Sequence, residues 1–173
     1  LIIIKSNFEK YKKVSNQVKE ILRDYDPNFV SYSLDEASLN ITQYLKDHHD
    51  ELSNFMHFTA AEFVSSQIRM RIQDKCGVTA SAGIASTKVL AKICSNYNKP
   101  NGQHYISPDK KTVIKTIQNL DVRKVPGIGR SSEKVLNALG VTTCYDLYKR
   151  RCILLHILSR RSFLFYLQTS LGI

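Results

Sequence analysis

The sequence predicts an α+β fold in two parts: an antiparallel sheet with helices packed on one face over residues 1–106, then a small all-helical domain over 107–173. Three patterns carry that expectation. Apolar residues alternate with period two around residue 35, they recur at helical spacing behind recognisable caps on either side of that stretch, and from Ser107 onward only the helical spacing remains.

Leu1 to Ile4 reads as a short strand. Asn7 then caps a helix whose Tyr11, Val14, Val18, Ile21, Leu22 and Tyr25 recur every three or four residues, until Asp26-Pro27-Asn28 stops it. Val30, Tyr32 and Leu34 alternate on even positions, whereas Ala37, Leu39 and Ile41 alternate on odd ones. A shift of one residue turns the opposite face inward, so the two runs are separate strands joined by a tight turn. Asp35 and Glu36 occupy the break, at the tip of a hairpin. Adjacent carboxylates within a buried strand would pay a heavy desolvation cost, and at the tip they keep their water.

A polar connection follows through Asp47, His48, His49, Asp50 and His57, better explained as a solvated loop than as a ligand cluster. Thr59 with Glu62 forms a capping box ahead of Val64, Ile68 and Ile72, and Gly77 ends that helix. Val78 to Ala85 reads as a strand buried on both faces, Ser86 as the cap of a helix to about Tyr97, and Lys99-Pro100-Asn101-Gly102 as a turn. In the second part Ser107 is the cap of a helix with Pro108 at its first position and Val113, Ile114, Ile117 and Leu120 as its apolar face. Pro126-Gly127-Ile128-Gly129 makes a tight turn between short helices. Thr143 with Asp146 is a second capping box, and Ile153 to Leu171 a last apolar helical stretch.

With 43% hydrophobic residues the 173-residue chain can bury a core. Its 25 Lys and Arg against 15 Asp and Glu give a formal charge of +10, which favours a polyanionic partner, nucleic acid first. A membrane partner is disfavoured, because the longest apolar runs fall far short of the roughly 20 residues that span a bilayer. Cys76, Cys94, Cys144 and Cys152 lack CxxC spacing and read as reduced core thiols, not zinc ligands. The opening on Leu1 reads as part of something longer.

Two groups could carry chemistry. Gly127 and Gly129, spaced as GxG, free the backbone for a turn whose N–H groups point outward, a nest that binds phosphate oxygens without reading bases. Position 129 then demands either a positive φ or close approach of a phosphate. Lys124, Gly127, Gly129, Arg130 and Lys134 are therefore candidate DNA-binding residues, with Arg123 beside them. Asp35 and Glu36 are either a solvated turn or ligands for a hard cation such as Mg²⁺, which takes oxygen donors. Two such ions ~3.5–4 Å apart can clamp both reacting oxygens of a phosphoryl transfer.

"SLDEASLNIT", "ASAGIASTKVLAK", "NKPNGQ" and "VRKVPGIG" occur in an order and at intervals that resemble the successive motifs of the Y-family translesion DNA polymerases, over essentially the whole chain. The resemblance is greatest to a eukaryotic branch, with a bacterial branch second. It implies an incomplete polymerase palm over 1–106, lacking its first catalytic strand and the fingers, followed by a thumb with a helix-hairpin-helix over 107–173. It implies metal-binding, catalytic roles for Asp35 and Glu36 with two Mg²⁺ ions in the complete enzyme, and a nucleotide-binding role for Lys99. The implied partners are primer-template DNA, a deoxynucleoside triphosphate and, through regions outside this chain, a sliding clamp. The implied compartment is the nucleus for the eukaryotic branch and the cytoplasm otherwise. The chain departs from the pattern at Ser38, where the family carries an aromatic, and at Ser86-Thr87-Lys88. Two other readings stay open on the residues: a non-catalytic helix-hairpin-helix DNA-binding module, and a palm-type nucleotidyl cyclase, which has no use for a DNA-gripping hairpin.

Overall fold

In the computed structural model, residues 4–52 and 59–173 are described; the strand expected at Leu1–Ile4, apart from Ile4, and His57 lie outside them. The chain divides into two units, residues 1–81 with 100–103 and residues 82–99 with 104–173. This partition places the 82–99 segment with the helical region. The palm and thumb limits at 106 and 107 remain a proposal.

The first unit begins with helix α1, Phe8–Arg23, whose Asn7 side chain accepts from the Lys10 N–H as the sequence predicts. Antiparallel strands β1 (Val30–Ser31) and β2 (Ala37–Ser38) follow, in register Val30 with Ser38 and Ser31 with Ala37. The hairpin is thus present but much shorter than its alternating pattern. Val30, Tyr32 and Leu34, expected to share a buried face, are 39%, 68% and 38% exposed. Beyond the short ladder the Ser31 hydroxyl donates to the carbonyls of Ser33 at 2.7 Å and Glu36 at 3.2 Å.

Where a polar loop was expected, the chain forms α2 (Thr42–Asp47) and α3 (His49–Leu52). Ile41, Tyr44, Leu45 and Leu52 pack against the core, and His48 stacks on Tyr44 with ring centroids 4.1 Å apart. Helix α4, Ala60–Cys76, carries the predicted capping box, and Gly77 closes it at φ +66°. Ile21, Leu22 and Tyr25 of and just after α1 and Val64 and Ile72 of α4 form this unit's core.

In the second unit, β3 covers only Ala82–Ile84 of the predicted Val78–Ala85 strand and is half-buried. Helix α5, Lys88–Cys94, is capped by Thr87, not Ser86, the Thr87 hydroxyl accepting from the Leu90 N–H. β3 pairs with β4, Gln103–Tyr105, so the described strands form two separate ribbons instead of one sheet. Helix α6, Lys110–Gln118, is capped by Asp109 and not Ser107; the Asp109 carboxylate accepts from the Thr112 N–H at 2.9 Å, and hydrogen bonds from Thr112 hold its carboxyl below the usual carboxylate value. A 3₁₀ turn at Val122–Lys124 leads to α7 (Arg130–Ala138) and α8 (Cys144–Lys149), the latter with the predicted Thr143–Asp146 box. Burial raises the Asp146 carboxyl, but hydrogen bonds from Thr143 and Thr142 outweigh it and leave the pKa lowered.

The final stretch is two helices, α9 (Arg151–Ile157) and α10 (Arg160–Leu171), because Leu158 is extended and Ser159 caps anew by accepting from the Ser162 N–H. Leu90, Ile93, Ile117, Val122, Ile128, Leu136, Leu147 and Leu154 lie in one core. Cys94 and Cys144 are buried there as free thiols, burial pushing them up to about 11 and about 12, while Cys152 is exposed, against the expectation of a core position. Among the described residues no helix is long and apolar enough to cross a membrane.

Candidate functional site

Asp26 sets the base of the acidic hairpin. One carboxylate oxygen accepts from the Asn28 N–H at 2.9 Å, turning the chain after α1, and the other accepts from the Asn40 N–H at 2.7 Å, tying in the segment after β2. Both ends of the hairpin thus hang on one side chain. The five residues Tyr32 to Glu36 connect the strands, closed by the Tyr32 N–H donating to the Glu36 carbonyl at 3.3 Å. Asp35 and Glu36 accordingly lie on the returning limb, just before β2 and past the midpoint of the connection at Leu34. Both are exposed. The Ser33 hydroxyl donates to Asp35 Oδ1 at 2.6 Å, so one carboxylate is oriented by its own loop.

This donor set of exposed oxygens suits a hard cation in kind. In number it is incomplete: among the described residues no group of three or more His, Cys, Asp or Glu could hold a metal ion.

In the second unit, Val125 to Arg130 make the tight turn the sequence predicts, with the conformational roles of the glycines separated. Gly127 has φ +97°, and an added Cβ would meet the Phe165 ring at 3.2 Å. Gly129 sits at φ −85° as the N-cap of α7, with nothing within 4 Å of an added Cβ. The positive φ considered for position 129 therefore belongs to Gly127, and Gly129 presents bare backbone to open space at the positive end of a helix dipole. Lys124, Arg130 and Lys134, all exposed, flank it in sequence, the last two one turn apart on α7. Arg123 is otherwise engaged: its Nη1 donates to the Ile128 carbonyl at 2.7 Å, and its Nε lies 3.3 Å from Glu133 Oε2. It braces the turn from within. The turn is stitched below by the Val122 N–H donating to the Thr142 carbonyl and the Cys144 N–H donating to that of Leu120.

A direct consequence is that the two glycines fail differently. Gly127→Ala should cost about 1–2 kcal/mol in urea unfolding, the penalty of an L-residue in the left-handed region, with the Phe165 contact added. Gly129→Ala should cost about 0.5–1 kcal/mol, the preference of an N-cap for Gly over Ala, and less than Gly127→Ala. Equal stability loss in the two variants would contradict this division.

Lys99, exposed, heads a turn in which Asn101 takes φ +46°. Sequence reading missed three residues that shape these features: Ser33, Asp26 and Arg69, whose guanidinium donates to the Asn101 side-chain oxygen at 2.9 Å. The Asp-Pro-Asn turn signalled Asp26's near contact; nothing local announced its reach to Asn40.

A family model described as "impB/mucB/samB family" matches residues 1–96, and one described as "IMS family HHH motif" matches residues 110–141. The chain is 37% identical to DNA polymerase kappa of Homo sapiens, covering 100% of this chain and 28% of that protein. It is 40% identical to DNA polymerase IV of Enterobacter sp. (strain 638), over 86% of this chain and 39% of that one. The crystal structure of DinB from Sulfolobus solfataricus superimposes with a TM-score of 0.81 at 26% identity, covering 98% of this chain and 47% of that chain. The chain therefore spans less than half the length of the relatives it matches.

Proposed function

We propose, from the premise that this chain belongs to the impB/mucB/samB family and so to the Y-family DNA polymerases, that the protein containing it transfers a nucleotide from a deoxynucleoside triphosphate to a primer 3′-hydroxyl in translesion synthesis on a DNA template. The observation that supports this reading is the presence in one chain of an exposed carboxylate pair on an antiparallel hairpin and of a GxG turn with bare backbone flanked in sequence by exposed cations. The first suits hard-cation phosphoryl chemistry; the second suits sequence-independent grip on a phosphodiester backbone.

In this proposal Asp35 and Glu36 supply oxygen ligands to Mg²⁺, Ser33 fixes the orientation of the Asp35 carboxylate, and Asp26 anchors the hairpin that carries both. When bound, two Mg²⁺ ions would supply Lewis-acid activation of the primer hydroxyl and neutralisation of the leaving pyrophosphate. Lys99 contributes a cation to the triphosphate. Lys124, Arg130, Lys134 and the backbone at Gly127 and Gly129 hold the duplex by its phosphates. The protein's part is chiefly positioning. A kappa-like or polymerase IV-like subtype, a clamp partner and a nuclear site for the eukaryotic type belong to the same proposal.

The test is fluorescence anisotropy on residues 1–173 with two unrelated duplexes across a salt series, beside a primer-extension assay with Mg²⁺. Affinity should be the same for both sequences and fall with salt, and Arg130→Ala should reduce the slope of log affinity against log salt by about one, the value for one neutralised phosphate. No extension is expected from residues 1–173 alone, given the incomplete acid set. A strong preference for one sequence, or salt-insensitive binding, would overturn backbone gripping by this turn; robust extension would overturn the requirement for a further acid.

A further inference from the structure

Arg69 of α4 makes the densest set of side-chain hydrogen bonds among the described residues of the first unit. Its Nε donates to the Ala80 carbonyl at 2.9 Å, its Nη1 to Gln103 Oε1 at 3.2 Å, and its Nη2 to both the carbonyl and, at 2.9 Å, the side-chain oxygen of Asn101. Two more bonds from the same helix support this. The Asn101 side-chain amide donates to Gln73 Oε1 at 3.2 Å, and the Gln103 side-chain amide donates to the Glu62 carbonyl at 2.9 Å. Residues 62, 69 and 73 are spaced by seven and four and so share one face of α4. That face forms a rail along which residues 101–103 are laid.

The segment needs such a rail. Asn101 stands at φ +46°, the non-glycine residue with positive φ among those described, a conformation that persists where the surroundings over-determine it. A guanidinium fork is the side chain suited to the task, because its planar donors engage several carbonyl-type acceptors at once where an ammonium engages them as a point charge. Lys99 is joined to this segment through the peptide bond to Pro100, whose fixed φ stiffens the link.

We infer that Arg69 is a positioning residue for the Lys99 turn: it fixes the Asn101 backbone and so sets where the Lys99 ammonium can reach an incoming triphosphate. This rests on the proposed nucleotide role of Lys99 and deepens it. Arg69 acts through its hydrogen bonds, not through its charge.

The test has two arms. In residues 1–173, NMR backbone order parameters at Asn101 and Gly102 should fall from a rigid value near 0.85 to below about 0.6 in both Arg69→Ala and Arg69→Lys, while α4 stays ordered. In the full-length protein carrying this sequence, both variants should raise the nucleotide KM about tenfold with kcat within about threefold, and Arg69→Ala combined with Lys99→Ala should be no worse than Lys99→Ala alone. Three results would overturn the inference while leaving Lys99's role intact: an unchanged order parameter, recovery of KM by Arg69→Lys, or fully multiplicative effects in the double variant. If Lys99→Ala leaves KM unchanged, the reading of Lys99 falls and this inference with it.

Discussion

If Asp35 and Glu36 hold the metal as proposed, Asp35→Asn and Glu36→Ala are each expected to lower nucleotide incorporation by the full-length protein at least about 100-fold, which corresponds to ~3 kcal/mol of lost transition-state stabilisation. Duplex affinity in the same variants should stay within about twofold of wild type, since phosphate gripping is proposed for the glycine turn at 127–129. The asymmetry follows from where the carboxylates sit. They lie exposed on the returning limb of the hairpin, whose base is held by Asp26 bonding to the backbone of Asn28 and Asn40, so removing either charge leaves the hairpin's supports in place. Primer extension and anisotropy on the same preparations separate the outcomes. Variants that bind DNA about tenfold worse yet incorporate at the normal rate would show that these acids hold the duplex and not a metal.

The parts of this fold that were legible in the sequence are those decided within one turn of chain. Asn7, the Thr59–Glu62 and Thr143–Asp146 boxes and the Gly77 stop all appear as written, because a cap is a bond between a side chain and an N–H two or three residues away. Where two cap-competent residues stood close together the choice failed: Thr87 serves instead of Ser86, and Asp109 instead of Ser107. Either residue of each pair satisfies the local rule, and the register of the helix against its core selects one. Residues 42–52 were read as loop because their charges obscured a helical spacing in Ile41, Tyr44, Leu45 and Leu52. The break at Leu158–Ser159 was missed for the opposite reason, continuous hydrophobicity across it.

Within the candidate site, the carboxylate pair and the GxG turn were found because each is contiguous in sequence. Supports that lie far along the chain were not: Asp26, which holds the carboxylate hairpin, reaches 14 residues to Asn40, and Arg69, which holds the segment after Lys99, reaches 32 to Asn101. The glycines show the same limit more finely. The GxG spacing announced a turn, but which glycine carries the left-handed backbone and which faces open space is a matter of geometry that spacing does not encode.

Gly83→Ala is expected to be the most damaging single methyl in the chain, destabilising the second unit by about 3 kcal/mol or more, at the upper end of the overpacking range. β3 runs against α5 so closely that an added Cβ at Gly83 would sit 2.5 Å from the Ser95 nitrogen and 2.7 Å from the Cys94 Cβ, and closer still to the Ala91 carbonyl oxygen. The Ser95 N–H and the Ala91 carbonyl are bonded to each other at 3.0 Å, so the methyl would wedge into the hydrogen bond that ends the helix. Backbone atoms cannot swing away as a side-chain tip can. Relief requires α5 to lift from β3, and that opens the core where Leu90, Ile93 and Cys94 are 0–3% exposed. Gly77→Ala is the matched control: it meets nothing within 4 Å and carries only the positive-φ penalty, about 1 kcal/mol. Urea unfolding of both variants decides the matter, and a Gly83→Ala loss no greater than that of Gly77→Ala would show that β3 and α5 have room between them.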